Sequence, residues 1–193
     1  QGDGNGTLWL HRVRSVWSQE GRHETIPVED LQLEPAWDPH AVRCERFGQA
    51  GSMPVNRFFP FAAIEDRKNH IFWGAQIAHP ASWQMEVYRK DNGLALSGGL
   101  ADRELGHWMK HVEPGKNFTT PEAIVSTAQT DSFDIFTGRL TTAGLVEGFL
   151  KAPESEQDLP IVFNEYCTTW GNPSHENICE IVDAIKGKGF KYF

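Results

Sequence analysis

Apolar and polar residues alternate along Trp83-Gln84-Met85-Glu86-Val87-Tyr88. That period of two marks a half-buried β-strand. Asp91-Asn92-Gly93 follows, a strong signal for a hairpin turn. Leu94-Ala95-Leu96-Ser97 then resumes the strand, and Gly98-Gly99 is expected to break it. Similar short runs lie on either side. Leu8-Trp9-Leu10 with Val13 opens the series. Ile71-Phe72-Trp73-Gly74-Ala75-Gln76-Ile77 comes after the polar turn Asp66-Arg67-Lys68-Asn69. Ala123-Ile124-Val125-Ser126-Thr127-Ala128 is introduced by Pro121. Strands at this spacing predict an all-β sandwich over residues 7 to about 150. One helix is expected within residues 133–150, where Phe133, Phe136, Leu140 and Gly144-Leu145 keep roughly helical spacing.

The texture then changes. Residues 151–159 are polar, contain Pro153 and three acidic side chains, and read as a linker. Pro160-Ile161-Val162-Phe163-Asn164 is a continuous apolar run, as in a strand buried on both faces. Residues 165–173 read as a loop. Ser174 is a good helix N-cap, with Glu176 in the first turn. Ile178, Ile181, Val182 and Ile185 then share one helical face. Lys186 falls in the last turn, and Gly187 or Gly189 can end the helix. Phe190-Lys191-Tyr192-Phe193 starts a second strand. Strand, helix, strand is a βαβ unit and implies a parallel sheet. One such unit cannot cover both faces of its own strands, so a larger α/β domain is expected to continue past Phe193.

Composition narrows the function classes. The 193 residues carry a net charge of −8, which disfavours nucleic acid and anionic membranes as partners. No apolar run approaches the roughly 18–20 residues of a membrane helix. Gln1-Gly2-Asp3-Gly4-Asn5-Gly6 has neither the basic start nor the apolar stretch of a signal peptide. It also lacks a Met, so residues are expected to precede it. Three widely spaced cysteines, Cys44, Cys167 and Cys179, fit a reducing compartment such as the cytoplasm better than a disulfide framework.

Most catalytic patterns fail on chemistry. His107 and His111 are spaced as a helical metal pair, but no Glu follows His107 and Pro114-Gly115 comes at once. No metal site is expected. Ser97-Gly98-Gly99 lacks the Gly-x-Ser-x-Gly elbow. The glycines of residues 2–6 follow no strand, so a phosphate loop is not expected.

Seven Trp, twelve Phe and three Tyr make aromatics dense. Trp73 and Trp83, inside strand patterns, are expected to fill the sandwich core. Trp108 and Trp170 lie in turn-rich segments and are candidates for a surface or an interface. The best functional candidate is the loop after Phe163, because parallel α/β domains bind ligands beyond the carboxyl ends of their strands. Asn164, Glu165, Tyr166, Thr168, Thr169 and Trp170 offer amide, carboxylate, hydroxyl and aromatic groups there, a set suited to a carbohydrate. Cys167 fits as a buried small residue among them. Glu165 reads either as a general acid or base or as a hydrogen-bonded structural carboxylate, with the structural role the heavier.

Taken in order, several segments resemble the α-galactosidases of glycoside hydrolase family 36. Val16-Trp17-Ser18-Gln19-Glu20-Gly21-Arg22 is similar to that family's early S-x-W-x-x-E-G-R stretch. Arg57-Phe58-Phe59-Pro60 resembles its R-x-P element. Phe72-Trp73-Gly74-Ala75-Gln76 with Ser82-Trp83 resembles its G-W-Q and G-S-W strands. Ser97-Gly98-Gly99-Leu100 and the run from Glu113-Pro114-Gly115 through Phe118-Thr119-Thr120-Pro121 resemble S-G-G and L-x-P-G-E-x-F-x-T-P.

The resemblance implies a mainly β fold: a β-supersandwich, then a linker and the first strand-helix unit of a truncated (β/α)8 barrel. Residues 1–150 would be the supersandwich, its start missing, with a linking helical segment. Residues 151–159 would be the linker and residues 160–193 the start of the catalytic barrel. It implies a retaining exo-glycosidase acting on terminal α-galactosides of oligosaccharides, with no metal or organic cofactor and with homo-oligomeric assembly. Such chemistry uses two carboxylates about 5–5.5 Å apart. The resemblance places neither on this chain; both are expected beyond Phe193. The fragment itself should therefore be inactive, with Tyr166, Glu165 and Trp170 as substrate-binding residues. Where the family commonly reads N-x-W-E-A-T, this chain has Asn164-Glu165-Tyr166-Cys167-Thr168-Thr169. Tyr166 thus stands in place of a substrate-packing Trp and Cys167 in place of Glu. The alternative is a non-catalytic carbohydrate-binding or assembly module.

Overall fold

The computed structural model describes residues 6–34, 43–51, 55–90, 93–102, 106, 108–148 and 153–193. The chain divides into two compact units, Gln1–Phe149 and Leu150–Phe193.

The first unit is an antiparallel β-sandwich with a helix on its outer face. Its strands are β1 (Leu8–Arg14), β2 (Arg22–Pro27), β3 (Arg43–Gln49), β4 (Phe61–Asp66), β5 (Ile71–Ala78), β6 (Trp83–Lys90), β7 (Gly93–Leu100) and β8 (Glu122–Gln129). They form a five-stranded sheet, β2-β1-β4-β5-β8, and a three-stranded sheet, β3-β6-β7. Every pairing in both sheets is antiparallel.

Two cores lie on opposite faces of the five-stranded sheet. Between the sheets, Leu8, Leu10, Ala62 and Ile64 meet Phe47, Trp83, Met85 and Val87. On the other face Phe61, Ala63, Phe72 and Ala128 meet Phe136 and Leu140 of helix α1 (Phe133–Val146). Each fully buried side chain of this size contributes about 1.5–3 kcal/mol. Strand β4 supplies both cores, with Ala62 and Ile64 to one side and Phe61 and Ala63 to the other. Every residue of β4 is therefore buried.

The alternation in β6 places Trp83, Met85 and Val87 in the core, as its pattern requires. Trp83 is fully buried and meets Phe47 edge-on at 6.0 Å. Trp73 is only partly buried, packed against the rim of the same core. Asp91 and Asn92 of the expected hairpin turn lie outside the described residues, but β6 and β7 pair from Lys90↔Gly93 to Trp83↔Leu100. Gly98-Gly99 does not break β7, which runs through to Leu100. The glycine has a packing reason instead: a Cβ on Gly98 would lie 3.0 Å from Ile77 Cδ1 and 3.1 Å from the Gln84 carbonyl oxygen.

Helix α1 is capped by Ser132, whose hydroxyl accepts the Ile135 amide at 3.3 Å. Its spacing buries Phe136, Leu140 and Gly144. Arg139 anchors it further by donating to the Thr127 carbonyl of β8 at 2.7 Å.

The second unit is a βαβ unit. Strand β9 (Ile161–Val162) and strand β10 (Phe190–Tyr192) pair in parallel. Helix α2 (Tyr166–Thr169) and helix α3 (His175–Ile185) lie between them in sequence. Ser174 and Asn177 cap α3 reciprocally: the Ser174 hydroxyl accepts the Asn177 amide at 3.2 Å, and Asn177 Oδ1 accepts the Ser174 amide at 2.8 Å. One expectation needs correction. Residues 165–173 are not wholly loop, because Tyr166–Thr169 makes one helical turn. Ile161 and Val162 of strand β9 are 55% and 62% exposed, as expected where one βαβ unit cannot cover both faces of its strands.

Candidate functional site

The turn after β9 begins with Asn164, whose Oδ1 accepts the Tyr166 amide at 3.0 Å. This side chain bends the backbone and starts α2. The Glu165 carbonyl then accepts the amides of Thr168 and Thr169, at 2.7 and 3.2 Å. The turn ends where Trp170 takes left-handed backbone angles, φ 54° and ψ 40°. Gly171 continues at φ 75°. A Cβ on Gly171 would lie 3.3 Å from Tyr166 Cε2, so glycine lets the chain turn close beneath the tyrosine ring.

This turn brings the three expected site residues together. The Tyr166 and Trp170 rings meet edge-on, with centroids 6.4 Å apart and planes at 65°. Both are open to solvent, Tyr166 at 57% and Trp170 at 77%. Glu165 is half-buried, and its carboxylate accepts the Thr169 hydroxyl. The arrangement offers two apolar ring faces with a fixed carboxylate beside them. Cys167, expected to be buried, is instead exposed on the same turn.

Trp108 is nearly half exposed and packs on Phe118 at 5.3 Å, as expected for a surface aromatic. It borders a cleft of about 380 Å³ with Gly98, Gly99, Thr120 and Pro121. His107 lies outside the described residues. Among the described residues no three His, Cys, Asp or Glu side chains are grouped to hold a metal.

Two polar clusters in the first unit escaped the sequence reading. On the helix-facing side of β1, His11 is buried and bonds Glu65 at 2.9 Å and His23 at 2.8 Å. Burial lowers the His11 pKa to about 4, against the opposing pull of Glu65. Burial also lowers His23. On the sandwich-facing side, Arg12 is buried among Glu24, Glu45 and Phe58, with its guanidinium 4.6 Å from the Phe58 ring centre. Burial works against the charge on Glu24, but the hydrogen bonds from Arg12 and Arg14 outweigh it and hold its carboxyl below the usual range. Arg12, Arg14, Arg57 and Phe58 line a cleft of about 390 Å³. The one available signal was three polar residues, His11, Arg12 and Arg14, in a strand that opens apolar with Leu8-Trp9-Leu10.

No family model matches the sequence, and no curated protein is similar to it. A likeness appears among solved structures. The chain is similar in fold to the GH36 α-galactosidase AgaB from Geobacillus stearothermophilus, with a TM-score of 0.65 and 15% identity. The match covers 98% of this chain and 25% of that one, so the chain spans about a quarter of that protein's length. At this identity the likeness is one of fold.

Proposed function

We propose that the chain is part of a retaining exo-glycosidase that removes terminal α-galactosyl units from oligosaccharides. In this reading residues 1–150 are its N-terminal β-supersandwich and linking helix, residues 151–159 a linker, and residues 160–193 the start of a (β/α)8 barrel. The 193 residues bind the sugar but do not cleave it, and no metal or organic cofactor takes part. The observation that carries the reading is the turn after β9. It presents two exposed aromatic rings and a carboxylate at the carboxyl end of a parallel strand, where barrels build their active sites. The likeness in fold to an α-galactosidase supports it.

The apolar face of a galactosyl ring packs on Tyr166, with Trp170 beside it, and Glu165 accepts from sugar hydroxyls. Assembly into a homo-oligomer belongs to the same reading. A cytoplasmic setting is supported by Cys167 and Cys179, which are exposed and in no disulfide. Among the described residues no helix is long and apolar enough to cross a membrane.

The test is saturation-transfer NMR of the chain with a galactose-terminated trisaccharide, against a glucose-terminated control. Transfer to the galactosyl protons is expected, and its loss in Tyr166→Ala and Trp170→Ala. Transfer unaffected by both substitutions would overturn the site. The chain is also expected to leave a p-nitrophenyl α-galactoside intact. Turnover abolished by Glu165→Gln would show that the chemistry resides on this turn.

A non-catalytic carbohydrate-binding or assembly module is the second reading. It is favoured by Trp17 between β1 and β2, which is 93% exposed. A large aromatic so free of contacts is what a contact surface presents.

A further inference from the structure

The His11 cluster fixes its own proton positions. Glu65, as a carboxylate, only accepts, so His11 Nε2 carries a hydrogen and donates to Glu65 Oε2 at 2.9 Å. Arg67 Nε donates to that same oxygen at 3.0 Å. Neutral His11 therefore has a bare Nδ1. His23 Nε2, 2.8 Å from it, must supply the proton of that second bond. The Thr25 hydroxyl lies beside both nitrogens, 3.4 Å from His11 Nδ1 and 3.2 Å from His23 Nε2. His11, His23 and Phe133 form a triangle of near-parallel rings, in which Phe133 lies against both histidines, 5.2 Å from the His11 centroid with planes at 19°, and nearer to His23. The His23 centroid is 5.0 Å from that of His11 and 3.9 Å from that of Phe133, with planes at 22° and 10°. Phe133 is the first residue of α1. The β-sheet thus grips the first turn of the helix through a neutral imidazole.

Acid acts on this chain in two steps. A first proton goes to His23 Nδ1, which makes none of these bonds, and Asp134 on α1 favours it electrostatically. The bond to His11 survives that step. A second proton must go to His11 Nδ1. It sets two N–H groups against each other at 2.8 Å and places two imidazolium rings side by side, with centroids 5.0 Å apart. The charged and titratable groups facing the pair are Glu65 and Arg67 from the end of β4 and Asp134 from α1. Arg67 opposes the second proton and Glu65 favours it.

We propose that the His11–His23–Phe133 ring cluster is an acid-released latch, which holds the first turn of helix α1 on the five-stranded sheet while both histidines share one hydrogen bond and frees it when both are protonated. Opening moves Phe133 away from Val13 and Phe61, with which it lines an apolar cleft of about 300 Å³ between α1 and the sheet. The latch therefore also controls access to that cleft.

The test is amide hydrogen exchange of the full 193-residue chain at about pH 7 and about pH 4.5, corrected for intrinsic exchange chemistry. Protection over Phe133–Val146 is expected to fall about tenfold or more, and at about pH 4.5 to lie below that of Trp83–Lys90 of the other sheet, which opens only with the whole unit. His23→Phe keeps a ring under Phe133 and removes the opposing N–H, so its helix should hold to lower pH. Nitrogen-15 spectra of the wild-type chain give an independent reading and should show His11 as the Nε2–H tautomer at neutral pH. Four outcomes would overturn the proposal: equal protection of α1 and β6 at about pH 4.5, undiminished protection of α1 at about pH 4.5, an unchanged pH dependence in His23→Phe, or His11 as the Nδ1–H tautomer.

Discussion

Gly74 on β5 lies so close to Ala62 on β4 that a Cβ added to it would sit 2.5 Å from the Ala62 carbonyl oxygen. It would also sit 2.7 Å from Ala63 Cβ. Both obstacles belong to the fully buried central strand, and neither is the flexible end of a long side chain. Gly74→Ala is therefore expected to force the two strands apart and to cost about 1–3 kcal/mol, the range for overpacking a close-packed core. Gly99→Ala is the control, since nothing lies within 4 Å of its added Cβ. Urea denaturation of the two variants should separate them clearly, with the Gly99 variant within about 0.5 kcal/mol of wild type.

Burial of neutral His11 ties the stability of the first unit to pH. Its folded pKa of about 4 lies below the ordinary 6.5. Above pH 6.5 both folded and unfolded states are neutral at this site, and the contribution is fully present. As pH falls from 6.5 towards 4, the unfolded chain takes up a proton that the folded one refuses, and stability is lost. The loss amounts to about 3 kcal/mol across that window. His11→Gln removes the titration, so its urea midpoint should fall less than that of wild type between about pH 7 and pH 4. Parallel curves for the two proteins would contradict the shift.

The cap of α3 gives a local prediction. Ser174→Ala loses the hydroxyl that accepts the Asn177 amide and leaves an orphan donor in the first turn. The expected loss is about 1 kcal/mol. Amides of His175–Ile185 should exchange about fivefold faster, while those of Trp83–Lys90 in the other unit stay unchanged. Ser174→Asp should restore most of the protection, since aspartate caps equally well.

How much of this was legible in the sequence depended on burial. Strand β6 showed itself because one face is in the core and the other is not. Strand β4 did not, because residues on both its faces are buried and Phe61-Ala62-Ala63-Ile64 shows no alternation. Strand β2, Arg22-His23-Glu24-Thr25-Ile26-Pro27, is polar because it lies at the sheet edge. It is held by its pairing with β1, which no local pattern reveals. Strand β3 hid for a related reason, since only Phe47 is buried among its seven residues. The turn carrying Tyr166 and Trp170 could be read, because position after a strand is a local property. The His11 cluster could not. Its partners stand 12 and 54 residues away and meet only through the register of three strands.

Tyr166 and Trp170 separate a binding role from a packing role. Tyr166 has little packed around it beyond Trp170, 6.4 Å away, and the backbone at Gly171. Its ring is more than half exposed, so its removal gives up little buried area. Tyr166→Ala should therefore lower the melting temperature only slightly, by less than the roughly 4 °C that about 1 kcal/mol produces in a chain of this size. Its effect on sugar binding should be larger. A galactosyl face packed on the ring buries apolar surface that an alanine cannot replace. The expected weakening is about 1–3 kcal/mol, or roughly five- to 150-fold in Kd, by titration with a galactose-terminated trisaccharide. Tyr166→Phe keeps the ring and should bind within about threefold of wild type, unless the hydroxyl itself contacts the sugar. Trp170→Ala should weaken binding in the same direction. The opposite pattern, a steep fall in melting temperature with affinity unchanged, would make Tyr166 a structural residue and remove the sugar site from this turn.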